Sequence, residues 1–224
     1  MFLYGKGSAL QKNEKKQIVT VPASQLSQGK ARAFHPPLPS RVPLFDSFLG
    51  GGLGWGELSE WGLPWGSGLR DLILPFLVSA QQEQPPAWIL WVYGQKDICV
   101  NPLAWHARGI KLEQLRFALS TKPLIELKPL FLSGFFRVIV LDGIPRLMDE
   151  DYAFLARQAR RLQQHILVLH PYTLTTGRGN VWARLRINCS RDFAQQHVVL
   201  TLLKGHQQRQ LLLSFHSFMS ITPP

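Results

Sequence analysis

Three uninterrupted apolar runs constrain this chain more than any other feature: Trp88-Ile89-Leu90-Trp91-Val92-Tyr93, Val138-Ile139-Val140-Leu141 and Ile166-Leu167-Val168-Leu169. None approaches the roughly 18 residues a membrane span needs. None alternates, so none has a wet face, and each reads as a strand buried on both sides. Such strands belong to parallel sheets covered by helices on both faces. The segments between them carry helical spacing. Leu69, Leu72, Ile73, Phe76, Leu77 and Ala80 fall on one face of a helix expected over 69–81, with Pro75 loosening its start. Residues 149–164 form another, with Tyr152, Leu155, Ala159 and Leu162 as the buried stripe and Arg157, Arg160 and Arg161 off it. Shorter helices are expected over 43–49, 102–108 and 125–133, and further strands over 57–61 and 115–118. Strands over 181–188, 198–203 and 210–215 predict an antiparallel extension. The fold class is therefore α/β, a mostly parallel sheet flanked by helices with antiparallel C-terminal strands. At 224 residues and 46% hydrophobic, the chain suits one core domain and a tail.

The tail is basic. Residues 1–41 hold Lys6, Lys12, Lys15, Lys16, Lys30, Arg32 and Arg41 against Glu14 alone, so +6 of the net +11 lies there. With the proline-rich run at 36–39 it reads as a flexible basic arm, and the core domain is expected over 42–224. Ile18-Val19-Thr20-Val21 could add an edge strand. The two cysteines, Cys99 and Cys189, form no CxxC or Cys/His cluster, so neither zinc nor a disulfide framework is expected. No secretory signal pattern opens the chain, and a cytoplasmic location with no membrane partner is the expectation.

One segment has the layout of a phosphate-binding loop without its chemistry. Such a loop needs glycines for curvature, a helix start behind it, a lysine for phosphates and a hydroxyl for magnesium. Gly62, Gly66, Ser67 and Gly68 lie between an expected strand and a helix, but Leu69 stands at the lysine place and Arg70 at the hydroxyl place. The spacing from Gly62 to Gly68 is one residue too long. Asp142 ends an apolar strand, where a magnesium-orienting acid sits in such proteins, although a turn or cap role explains it as well. Trp65 is expected to fill the vacated pocket.

The stretch from Leu44 to Gly62, Leu-Phe-Asp-Ser-Phe-Leu-Gly-Gly-Gly-Leu-Gly-Trp-Gly-Glu-Leu-Ser-Glu-Trp-Gly, resembles the opening of the RecA core. Over 42–215 the order of elements is similar to that of the ImuA-like proteins, RecA-related accessory factors of bacterial mutagenic repair. The resemblance implies a RecA-like body with a decayed nucleotide pocket, formed by Gly62, Gly66, Ser67, Gly68, Leu69, Arg70, Gln95 and Asp142. Gln95 falls near the place of the catalytic glutamate, and an amide cannot act as general base. It further implies no ATPase activity, no cofactor, and a role in translesion synthesis through a Y-family-like polymerase partner, and RecA or DNA besides. In RecA the place of His170 begins a DNA-binding loop; here 173–180 is either such a loop or an ordinary surface loop. Lys12, Lys15, Lys16, Lys30, Arg32, Arg178, Arg184 and Arg186 are the candidate DNA or partner contacts. The middle of the chain is also similar to SulA-like division inhibitors, which makes division inhibition one alternative. An ATP-driven recombinase mediator is the other. A pI near 10.1 favours nonspecific DNA binding in any case.

Overall fold

A computed structural model of the chain describes residues 35–95, 100–175, 180–205 and 209–215. Most of the basic arm, Arg178, the segment bearing Cys99 and the last nine residues lie outside them. The described residues form one mixed α/β body with an eight-stranded sheet in the order β3-β2-β4-β5-β1-β6-β7-β8. The strands are β1 (Leu58–Gly62), β2 (Trp88–Tyr93), β3 (Leu115–Leu119), β4 (Phe136–Asp142), β5 (His165–His170), β6 (Leu185–Asp192), β7 (His197–Lys204) and β8 (Gln210–Ser214). From β3 through β6 every pair is parallel, and β6-β7-β8 is antiparallel.

The helices are α1 (Pro43–Leu49), α2 (Leu74–Gln81), α3 (Pro102–His106), α4 (Pro123–Glu126), α5 (Lys128–Ser133) and α6 (Asp149–Leu162). They divide between the two faces and give two cores. Phe45, Trp61, Phe76, Trp91 and Trp105 pack on one side with α1, α2 and α3. Phe131, Tyr152, Leu155 and Ala159 pack on the other with α5 and α6. None of these helices is long and apolar enough to cross a membrane.

The departures from the expected elements have local causes. The single helix expected over 69–81 is a 3-10 turn, Leu69–Ile73, followed by α2. Pro75 lacks an N–H, and it sits in the first turn of α2, where none is needed. All eight α2 residues are buried, so the apparent stripe is part of a helix enclosed all round. Pro129 likewise opens a new helix, α5, behind α4. The strand expected over 181–188 begins four residues later, at Leu185, because Val181 and Trp182 stand exposed on an Asn180-capped turn. Leu162 is half-buried, and Ala156 joins the α6 stripe instead. The body also starts before Val42. Leu38 is buried and pairs with Leu53, and Ser40 is buried against the Asp46 carboxylate. The proline-rich run from 36 is thus part of the body and not of an arm.

A buried chain of hydrogen bonds fixes the amino-terminal ends of β1 and β5. Trp61 Nε1 donates to Ser59 Oγ at 2.9 Å, and Ser59 Oγ lies 3.0 Å from His165 Nε2. His165 Nδ1 lies 2.7 Å from Gly54 O, which makes it the donor, so Nε2 of the neutral ring accepts from Ser59. Burial holds the His165 pKa down to about 4, against some lift from Gly54. The unfolded chain therefore takes up a proton that the folded chain refuses. Stability is full above about pH 6.5 and falls as the pH drops towards 4. A series of urea melts across that window is expected to show the loss, and His165→Gln is expected to flatten it.

Candidate functional site

The carboxyl-terminal ends of the parallel strands form the crevice where open α/β sheets place ligands. β1 delivers the loop 63–68 there, β4 delivers Asp142, and β5 lies between them. Gly62 is required by close approach: a Cβ would stand 2.3 Å from Asn188 Oδ1 and 2.9 Å from Tyr172 O. Asn188 in turn pins the segment after β5, accepting from Leu174 N at 2.7 Å and donating to Leu174 O at 2.9 Å. Gly68 has φ of +70° and turns the chain into the 3-10 helix. Gly66 is exposed, with no atom near its missing side chain.

Arg70 fills the crevice. Its Nε donates to Asp142 Oδ1 and Oδ2 at 3.0 and 2.9 Å, and its Nη2 donates to Oδ1 at 2.8 Å. Nη1 donates to Leu63 O at 3.2 Å, back in the loop. The Trp65 indole lies over the guanidinium, 3.3 Å from ring centre to Cζ, and its far edge packs on Gly143. The side chains of Arg70 and Asp142 are 12% and 1% exposed. Burial pushes the Asp142 carboxyl above its ordinary value, while Arg70 pulls the other way. Trp65 occupies the crevice as expected, with Arg70 beneath it.

Mg-nucleotide, the ligand a RecA-type loop implies, does not fit these residues. Leu69 is buried in the core, so a side chain at that position leads away from the loop. Ser67 Oγ donates to Pro64 O within its own turn. Both Asp142 oxygens are engaged by a cation already in place. Five residues of 3-10 helix stand where an α-helix start would aim its N–H groups at a phosphate. Gln95 is exposed beyond β2 and makes no hydrogen bond among the described residues. Gly62, Gly66, Ser67, Gly68 and Arg70 thus gather with Asp142, while Leu69 turns into the core; Gln95 is exposed and follows Gly94, whose N–H donates to Asp142 O at 2.8 Å.

Of the candidate contacts, Arg184 and Arg186 lie among the described residues, and they differ in setting. Arg186 is buried at 6% exposure, its Nε 2.6 Å from Glu60 Oε2, so it is no surface contact. Arg184 precedes β6, exposed, with Glu57 3.7 Å away. Arg191 is stacked between Phe193 and Phe215. Lys12, Lys15, Lys16, Lys30, Arg32 and Arg178 lie outside the described residues.

A second charged cluster sits in the sheet itself. Glu60 Oε1 is 3.0 Å from His170 Nε2 and accepts from Tyr152 Oη at 3.4 Å, while Oε2 holds Arg186. Burial alone would raise the Glu60 carboxyl, but His170 and Arg186 outweigh it and hold its pKa below the ordinary value. Burial and the Glu60 charge push the Tyr152 hydroxyl well up. An open cavity of about 760 Å³ lies over the cluster, walled by Asp149, Tyr172 and Thr175 among others. Glu60 is the acid inside the strand Leu58–Gly62, and its partners Tyr152, His170 and Arg186 lie 92, 110 and 126 positions away. Among the described residues no group of His, Cys, Asp and Glu is arranged to hold a metal ion. Cys189 is buried and unpaired, its thiol pushed up by burial. No protein-family model matches the chain, and no curated protein matches it.

Proposed function

We propose that this chain is a RecA-like accessory factor in DNA-damage tolerance that acts by binding partners and does not turn over nucleotide. The observation that carries the non-catalytic half is the Arg70 guanidinium clasped by Asp142 and roofed by Trp65. A cation supplied by the chain stands where metal and phosphate would have to be, and the loop has no lysine or free hydroxyl to replace it. The cellular half is supported by the RecA-type opening at 44–62 and the ImuA-like order of elements. On this reading the partner is a Y-family-like polymerase homologue, with RecA or DNA as a further ligand.

Each half has its own test. Equilibrium dialysis with labelled Mg-ATP is expected to give no saturable binding up to about 1 mM, which is weaker than about 4 kcal/mol. Saturation in the micromolar range would end the non-catalytic reading. Purified chain is expected to co-elute with the polymerase-like partner in gel filtration when DNA is present. No association with that partner or with RecA would end the cellular reading and leave the closed crevice standing.

A further inference from the structure

We infer that the end of the body where α6 stops is a phosphate-binding surface for a nucleic-acid backbone, built from Arg137, Arg157, Arg160 and Arg161 beside Trp55. This surface lies at the amino-terminal ends of the strands, away from Arg70 and Asp142 and away from the loop after His170. It does not rest on the proposed partner or on the closed crevice.

Three segments meet there. Gly56 lies against the last turn of α6: a Cβ on it would stand 3.5 Å from Arg160 Cα and 2.8 Å from Gln163 Nε2. Gly56 N donates to Gln164 O at 3.0 Å, and Gln164 Nε2 donates to Phe136 O at 2.7 Å, beside Arg137. The Arg137 guanidinium rests 4.3 Å over the Trp55 ring. The 54–57 turn, the end of α6 and the start of β4 therefore present one continuous surface.

Its four arginines form no ion pair among the described residues; the acid of the 54–57 turn, Glu57, lies 3.7 Å from Arg184. Arg157, Arg160 and Arg161 are exposed. The acids of α6, Asp149, Glu150 and Asp151, all sit in its first turn, about 15 Å up the helix. Arg160 and Arg161 also suit the negative end of the helix dipole. That effect does not reach Arg137 or account for two further groups. Arg137 Nε and Trp55 Nε1 are both closed off from solvent, and neither donates to an acceptor among the described residues. Closed off as they are, these two donors face no ligand; what an oxygen-rich anion can reach is the three exposed guanidinium groups, with the half-buried Arg137 held against Trp55 beside them. A duplex offers one such charge per about 1.7 Å of axis. Arg157 and Arg161 lie one helical turn apart, about 6 Å, so the cluster meets several phosphates at once. A patch on an acidic protein would have to match that density of charge.

The test is fluorescence anisotropy of the full chain with a labelled 30-base-pair duplex across a salt series. The triple variant Arg157→Ala, Arg160→Ala, Arg161→Ala is expected to bind at least about tenfold more weakly and to lose about two to three from the salt slope. The same positions changed to Lys are expected to keep the slope. Removing three exposed cations from the far sheet edge (Lys111, Arg116 and Lys122) is expected to change little. Should the triple variant fail to fold, Arg157→Ala with Arg161→Ala is read the same way. An unchanged affinity and slope overturns the inference, as does an equal loss from the far-edge variant, which would mean net charge alone. Tighter binding of polyglutamate than of the duplex, lost in the same variant, overturns it in favour of an acidic protein partner.

Discussion

Replacing Glu60 with Ala is expected to destabilise the protein by about 3–5 kcal/mol, read as a lower urea midpoint at unchanged slope. Glu60 is the only acid within the apolar stretch of β1, and both its oxygens are committed, one to Arg186 and one to His170 and Tyr152. The Arg186 and Glu60 side chains are 7% and 6% exposed, so water cannot replace the lost carboxylate. Truncation leaves a buried guanidinium whose one other hydrogen bond among the described residues is a long one to Thr175 O at 3.4 Å. The cost is that of an orphaned charge and not the net worth of the pair. Glu60→Leu with Arg186→Met, which removes both charges, is therefore expected to recover most of the stability. The pH dependence has a fixed sign. Glu60 is held below its ordinary value, so its contribution is full above about pH 4.5 and is lost as the pH falls through the lowered folded value. This adds to the acid sensitivity of His165, and both are losses on acidification.

The parallel half of the fold was legible because a strand covered on both faces leaves a period-free apolar run, and β2, β4 and β5 each do so. The strand expected over 181–188 was misplaced because Val181-Trp182 has strand-like composition but no neighbouring strand to pair with; β1 meets β6 only from Leu185. Helix α2 concealed its boundary because it is buried all round and carries no polar face to set a phase. In the site, the absent lysine and hydroxyl could be read directly from Leu69 and Arg70. That Arg70 would itself satisfy Asp142 could not, since the two lie 72 positions apart and meet only through the order of β1, β5 and β4. Arg186 was misread for a related reason. An arginine on an edge-like strand looks solvated until β1 is seen to put Glu60 beside it. The surface at the end of α6 was visible as residues off the helix stripe, but the Trp55 and Arg137 beside them come from two other segments.

Arg70→Ala is expected to cost about 3 kcal/mol near neutral pH, because it strips the cation from a carboxylate that is 1% exposed. The deficit should itself depend on pH. Burial already pushes the Asp142 carboxyl above its ordinary value with Arg70 in place, and removing Arg70 takes away the hydrogen bonds and charge that oppose that push. The folded variant then prefers a protonated Asp142 at pH values where the unfolded chain is ionised. Its stability relative to the parent must therefore improve as the pH is lowered, the reverse of the Glu60 and His165 effects. Urea melts of parent and variant at about pH 8 and pH 5 are expected to show the gap narrowing. A gap that is constant or widens in acid would mean that Arg70 acts by packing under Trp65 and not by neutralising Asp142. The same variant separates a plugged pocket from a lost one. If Arg70 merely blocked a working loop, removing it would admit Mg-ATP. With Leu69 turned into the core and Ser67 bound to Pro64, the emptied crevice has no group to take up the phosphates, and binding is expected to stay undetectable.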